Sequence, residues 1–142
     1  MSETDETPIQ PVRPDAGSRR IAGGILGLVG AIGFIAATFH YVGAYHNNIW
    51  DLLGWFVWPV TVTLFSVAVL ATARRWPLLG AGGLLALGLW GVMAYATLLG
   101  SLLQTSPAWD AYARQAAAHA VSSLVVLAGG GLAFLARGRK TF

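Results

Sequence analysis

Two histidines, His40 and His119, are the side chains whose type and position could support chemistry inside a membrane. Each lies in a stretch of 22 to 34 residues that contains no Asp, Glu, Lys or Arg. Ionisable residues in such stretches are functional candidates, and neutral imidazole is a common ligand of haem iron. The first and last helices of an up-down bundle are neighbours, so the two rings could face each other. The pattern therefore permits a haem b site with these two histidines as ligands.

The same two histidines also have a purely structural interpretation. A neutral histidine near the membrane interface is tolerated when it donates one hydrogen bond, for example from His119 to Ser122. A haem would also need a cavity and cationic partners for its propionates, and Arg114 is the only cation on that side of the predicted bundle. We therefore predict no cofactor and no catalytic residue, with haem b ligation as the alternative.

The remaining polar residues form weaker candidate sites. His46 lies close to Asn47, Asn48 and Asp51, but one imidazole and one carboxylate close in sequence make a poor metal site. Asp51 and Asp110 lack the polar scaffold that general acid–base catalysis requires. The absence of cysteine excludes disulfides, thiolate metal sites and iron–sulfur clusters. The sequence predicts neither a metal site nor an enzyme that acts alone.

Four apolar segments without charge determine the predicted architecture. The composition is 56% hydrophobic and only 11% charged, whereas soluble domains carry about 25% charged residues. A bilayer core roughly 30 Å thick requires about 20 apolar residues per helix. The predicted spans are residues 21–42, 52–73, 77–103 and 115–136. We predict an all-α membrane protein whose four transmembrane helices form an up-down bundle.

Basic residues indicate the orientation of this bundle. Eight of the nine precede span 1, separate spans 2 and 3, or follow span 4, and Arg114 lies on the opposite side. Cations near span ends stay in the cytoplasm, so both termini are predicted to be cytoplasmic. The abundance of Ala, Gly and Arg suggests a bacterial chain and hence the inner membrane. The predicted regions are an acidic, proline-containing cytoplasmic tail (1–20), the transmembrane domain (21–137) and a basic cytoplasmic C-terminus (138–142).

Aromatic and small residues suggest how the helices sit in the membrane and against each other. Trp and Tyr prefer the headgroup level, and the predicted interfacial anchors are Tyr41, Tyr45, Trp50, Trp55, Trp109 and Tyr112 on the outer side and Trp76 on the cytoplasmic side. Small residues let helix backbones approach closely. The predicted helix-packing residues are Gly23, Gly27, Gly30, Ser122, Gly129 and Gly130.

The overall pattern of four short-looped spans, few charges, an aromatic outer edge and a polar tail resembles small accessory subunits of bacterial respiratory complexes. The resemblance covers architecture only, and it implies other integral membrane subunits as partners, in addition to membrane lipids. The basic residues lie at helix ends rather than in a patch, so we predict no nucleic-acid partner. We predict a non-catalytic accessory or assembly subunit of a larger inner-membrane complex, with a respiratory-chain complex as the first candidate.

Two alternative functions stay open at this level. One is a haem b- or quinone-handling redox protein that uses His40 and His119. The other is a homo-oligomeric transporter of small molecules or lipids, although coupled transporters usually keep a charged residue within the membrane.

Overall fold

The computed structural model describes residues 15–42, 49–71, 76–105 and 111–136, which form four α-helices. The helices are α1 (Ala16–Val42), α2 (Ile49–Leu70), α3 (Trp76–Thr105) and α4 (Ala111–Leu135). By length and composition α1, α3 and α4 could cross a membrane, whereas the apolar stretch found in α2, Trp55–Leu70, is shorter. The prediction of an all-α chain with four helices is confirmed for the described residues, and three helices have the length of a span.

The first helix begins within the region predicted to be the tail. Asp15 lies just before α1 and accepts a hydrogen bond of 2.8 Å from the backbone N–H of Ser18, which is the arrangement of a helix N-cap. Hydrogen bonds from the Ser18 side chain and backbone lower the pKa of the Asp15 carboxyl below its ordinary value of 3.8. The Asp15 carboxylate that forms the cap is therefore fully present above pH 3.8, and the cap is lost as the pH falls through the lowered pKa. Residues 1–14 lie outside the described part of the chain.

Neighbouring helices run antiparallel around the bundle. Between α1 and α2, Gly24 lies against Leu70 and Phe34 lies against Trp58. Between α2 and α3, Phe65 lies against Gly83 and Trp58 lies against Gly91. The other two interfaces follow the same pattern, with the pairs Leu84–Gly130 and Tyr95–His119 between α3 and α4, and Gly23–Gly129 and Phe34–His119 between α1 and α4. In each pair residue numbers rise along one helix while they fall along the other. The first and last helices are therefore adjacent, and α1 and α3 lie across the diagonal.

This topology defines two ends of the bundle. The starts of α1 and α3 and the ends of α2 and α4 share the end that contains Arg20, called here the Arg20 end. The opposite end contains Arg114 near the start of α4 and is called the Arg114 end.

The backbones of α1 and α4 approach each other very closely. A Cβ atom added to Gly23 would lie 2.5 Å from the carbonyl oxygen of Gly129, and one added to Gly129 would lie 2.6 Å from the carbonyl oxygen of Gly23. Farther along, a Cβ on Gly30 would lie 2.9 Å from the carbonyl oxygen of Ser122. Since real Cβ atoms do not approach backbone so closely, this interface requires glycine.

Two other predicted packing glycines face different neighbours. Gly27 points at Ser66 on α2, and a Cβ on Gly130 would lie 2.7 Å from the backbone nitrogen of Leu85 on α3. The predicted packing glycines of α1 and α4 therefore lie inside the four-helix bundle, where they bring helices of the same chain together.

The outward faces of the helices carry large apolar side chains. At least half of the surface is exposed for Ile21, Ile25, Val29 and Ile32 on α1, Val57, Val60, Leu64 and Val67 on α2, Leu89, Trp90 and Met93 on α3, and Val121 and Leu124 on α4. So much exposed apolar surface is suited to lipid tails or to the helices of another membrane protein.

Candidate functional site

The most distinctive feature of the interior is the aromatic environment of His119. The imidazole on α4 is fully buried. It stacks on Phe34 of α1 with ring centroids 4.0 Å apart. Tyr95 of α3 and Trp55 of α2 lie 4.9 Å and 5.0 Å from it. These three rings, called here the His119 cage, come from three different helices, so only the assembled bundle creates the site.

A second layer of packing fixes the position of Phe34 in this cage. Trp58 stacks on Phe34 with a centroid distance of 4.4 Å and is itself buried. Gly91 of α3 leaves space for the indole. A Cβ atom at position 91 would lie only 3.3 Å from the Trp58 ring and 2.9 Å from Ser123 Cβ, so a larger residue would crowd both side chains. Close packing therefore holds Phe34 in the cage.

The hydrogen bonds of Thr38 favour one tautomer of His119. The Thr38 hydroxyl donates to the backbone carbonyl of Phe34, one turn earlier, over 2.9 Å. The same oxygen lies 3.1 Å from His119 Nε2. A hydroxyl has a single proton to donate, so Nε2–H of His119 donates to the Thr38 oxygen. Since the buried Nδ1 has no acceptor for a second proton, the ring is neutral, and Nδ1 carries a lone pair.

Several buried polar atoms near the His119 cage have no hydrogen-bond partner. They are His119 Nδ1, the Gln115 amide nitrogen Nε2 and the Trp58 indole nitrogen Nε1. Buried polar groups in native proteins are almost always paired. Gln115 precedes His119 by four residues on α4, so the two side chains are neighbours on one helix face.

The two histidines predicted as a pair occupy different environments. His40 is exposed near the end of α1, and its position is about 200° around the helix from that of Thr38, which contacts His119. The nitrogen Nε2 of His119 is already bonded to Thr38. The structure thus brings His119 together with Thr38 and three aromatic rings, and it does not bring the two imidazoles to a common cavity.

The other predicted site residues are distributed as follows. Trp76 and Tyr112 are exposed, with 57% and 46% of their surfaces accessible, whereas Trp55 belongs to the His119 cage. Tyr41 and Trp50 lie in α1 and α2 at positions whose side chains are not described, and Tyr45 and Trp109 lie outside the described residues. The weaker metal candidates His46, Asn47 and Asn48 also lie outside them. Within the described residues, no three His, Cys, Asp or Glu side chains form a group that could hold a metal ion.

Sequence reasoning missed Phe34, Thr38, Tyr95 and Gln115 as residues of this region. The available signal was weak: Gln115 is a polar residue near the start of an apolar segment, and it precedes His119 by one helical turn. Nothing in the sequence distinguishes Phe34 or Thr38 from other residues of α1. No protein-family model, curated protein or solved structure matches the chain.

Proposed function

We propose that this chain is a non-catalytic accessory or assembly subunit of a larger membrane complex. The observation that carries the proposal is the segment of residues 96–105 at the carboxyl end of α3, called here the α3 extension. Seven of its ten residues are exposed and none is buried. The earlier part of the same helix, in contrast, contributes buried residues from Gly80 to Gly91. The α3 extension therefore leaves the core of its own bundle.

The length and composition of α3 favour a protein partner for this extension. The helix has 30 residues, which corresponds to about 45 Å, and a bilayer core is roughly 30 Å thick. About ten residues therefore exceed the core if the helix runs along the membrane normal. These residues include four leucines, and Leu98 and Leu103 have 44% and 39% of their surfaces exposed. Burial of these leucines against another subunit would remove their apolar surface from contact with water at the membrane boundary.

The polar groups of the α3 extension are compatible with close helix packing. The hydroxyls of Thr97, Ser101 and Thr105 recur every four residues and donate to the backbone carbonyls one turn earlier over 2.7–3.1 Å. Their hydrogen bonds are therefore satisfied within α3 itself. A Cβ on Gly100 would meet no atom within 4 Å. Small residues with satisfied polar groups let a second helix approach closely, and we propose a helix of another integral membrane subunit as the occupant.

The proposed location is the bacterial inner membrane with both termini in the cytoplasm. The topology supports it, because the chain segments that carry eight of the nine cations all join the bundle at the Arg20 end. Cations near span ends remain cytoplasmic. In this arrangement α2 also spans the membrane, and the α3 extension lies on the outer side. A respiratory-chain complex is the first candidate host, on the architectural resemblance alone.

The partner proposal predicts that a bulky residue in the α3 extension prevents assembly. We expect Gly100→Trp to lower recovery of co-purifying subunits by about tenfold or more, because overpacking a helix contact costs on the order of 1–3 kcal/mol. The measurement is gentle detergent purification from the native membrane, followed by quantitative mass spectrometry.

Gly82→Trp is the matched control for this experiment. Gly82 lies on the same side of α3, five turns earlier, and a Cβ there also meets no atom within 4 Å. This variant should retain its partners. Equal recovery in both variants would contradict the role of the α3 extension. A wild-type chain recovered only as a homo-oligomer would instead favour the transporter, and a Soret band in the purified chain would favour haem binding.

The orientation is tested separately by cysteine labelling of intact cells, which is straightforward because the chain has no cysteine of its own. A cysteine at position 47 should react with a membrane-impermeant maleimide in intact cells, since it connects α1 and α2 at the Arg114 end. A cysteine added after Phe142 should react only in opened cells. The reverse pattern would show that the termini lie outside.

A further inference from the structure

We infer that the Arg20 end of the bundle binds the head group of an anionic phospholipid, with Arg19 and Arg20 as the ligands of its phosphate. Three features carry this inference: the charge at this end, the placement of the two arginines beside the ends of α2 and α4, and the exposed apolar side chains next to them. Such binding does not depend on the proposed role as a subunit.

Positive charge accumulates at the Arg20 end. Beyond Asp15, the segments that join the bundle at this end carry only basic residues, namely Arg19, Arg20, Arg74, Arg75, Arg137, Arg139 and Lys140. The segments at the opposite end carry Asp51, Asp110 and Arg114. Charges of one sign sum to a potential that attracts ions of the other sign. The two ends therefore differ in electrostatic character, and the Arg20 end is the one that attracts anions.

The structure holds the Arg20 side chain against the bundle. Arg20 precedes Gly24 by four residues, and a Cβ on Gly24 would lie 2.6 Å from the side chain of Leu70, the last residue of α2. Residues four apart share a helix face, so Arg20 lies beside the carboxyl end of α2. The residue is half-buried and its Nε atom is buried, so the side chain packs on the helices. A guanidinium held in this way loses less side-chain entropy on binding a phosphate.

Arg19 occupies the neighbouring side of α1 at the same level. It precedes Gly23 by four residues, and Gly23 faces the backbone of Ala133 near the end of α4. Arg19 is also half-buried. The carboxyl end of a helix is equivalent to about half a negative elementary charge, so α2 and α4 each favour an arginine at their ends. That partial charge neutralises only about half of each cation, and both guanidinium groups keep positive charge for an anion.

Exposed apolar side chains lie next to the two arginines. On α1, Ile21 and Ile25 each have 50% of their surfaces exposed, and Val67 near the end of α2 has 55% exposed. Trp76, which starts α3 at this end, is also exposed, and tryptophan prefers the head-group level. A phospholipid can use both parts of this surface, because its phosphate meets the cations and its acyl chains cover the apolar side chains. Free phosphate would use the cations alone.

Native mass spectrometry of the full-length chain in detergent tests the preference for an anionic lipid. The probes are phosphatidylglycerol and phosphatidylcholine with identical acyl chains, so they differ in net charge. We expect phosphatidylglycerol to bind at least about fivefold more tightly, which is the effect of about one cation near the head group. Arg20→Gln should raise the Kd for phosphatidylglycerol by about fivefold. Arg114→Gln is the matched control, because it removes a cation from the opposite end, and its Kd should equal that of the wild type.

Two further measurements separate a built site from a diffuse field of charge. Arg20→Lys keeps the charge but lacks the planar fork that fits a phosphate, so its Kd should lie between those of the wild type and Arg20→Gln. Glycerol 3-phosphate, which has the charge without acyl chains, should not displace the lipid from the wild-type chain at equal concentration.

Several results would overturn the inference. Equal affinity of the wild-type chain for the two lipids would do so, and so would equal losses in Arg20→Gln and Arg114→Gln. Displacement by glycerol 3-phosphate would identify a free phosphate as the occupant. Residues 2–14 contain three of the chain's acidic residues. If a preference for phosphatidylglycerol is found only after their deletion, this acidic segment occupies the Arg20 end in place of a lipid.

Discussion

His119→Ala is expected to lower the free energy of unfolding by about 2–5 kcal/mol, the range for removal of a large buried side chain. The imidazole is fully buried and fills the space between Phe34, Trp55 and Tyr95. Its removal leaves a cavity lined by aromatic rings from three helices. The measurement is reversible unfolding in mixed detergent micelles, followed by helical circular dichroism.

Two control variants separate the packing of His119 from its hydrogen bond. His119→Phe keeps a ring in the cage but loses the bond to Thr38, so it should cost only about 0.6 kcal/mol, the average for a hydrogen bond between membrane helices. Loss of the unpaired Nδ1 atom offsets part of this cost. His40→Ala removes an exposed ring and should change stability by less than about 0.5 kcal/mol. Equal effects of the two alanine substitutions would show that His119 is not the packing centre described here.

Gly129→Ala is expected to destabilise the bundle by about 1–3 kcal/mol, the usual cost of overpacking. The new methyl group would lie 2.6 Å from the carbonyl oxygen of Gly23 and 3.0 Å from the backbone nitrogen of Gly27. Backbone atoms cannot turn away as a side chain can, so α1 and α4 must separate. Gly23→Ala should have a similar effect, because its methyl group would lie 2.5 Å from Gly129 O. The double variant should cost less than the sum, since one helix separation relieves both clashes.

The neighbouring residue Gly131 offers a close control for this prediction. It belongs to the same run of three glycines on α4, but a Cβ at that position would meet no atom within 4 Å. Gly131→Ala should therefore leave stability unchanged or raise it slightly, because alanine has the higher helix propensity. If Gly129→Ala and Gly131→Ala behave alike under the same unfolding conditions, close approach of α1 and α4 is not what requires glycine.

The number and approximate limits of the helices could be predicted from the sequence. The thickness of a membrane sets how many apolar residues a spanning helix needs. The lengths of the apolar segments, and the charges that separate them, can therefore be read from the order of residues without knowledge of how the helices pack. The helices α1, α3 and α4 meet this requirement. Local signals refine the limits only partly: Asp15 and Ser18 form a cap that starts α1 earlier than the apolar pattern indicates.

The composition of the site was decided by the tertiary structure. His40 and His119 occur in apolar segments of the same kind, and the sequence gives no reason to place one inside and the other outside. In a helix that is apolar on all sides, hydrophobic periodicity does not identify the face that meets its neighbours. Only the packing of α1 against α4 directs Thr38 towards His119 and leaves His40 exposed.

The same reasoning applies to the glycines. The sequence does not distinguish Gly129, Gly130 and Gly131, which follow one another in an apolar segment. In the structure they face α1, α3 and open space respectively. Successive positions on a helix point about 100° apart, so their roles depend on where the neighbouring helices lie. The sequence by itself determined that small residues and two histidines would lie in apolar segments. The positions of α1, α2 and α3 around α4 decided which of them make contact.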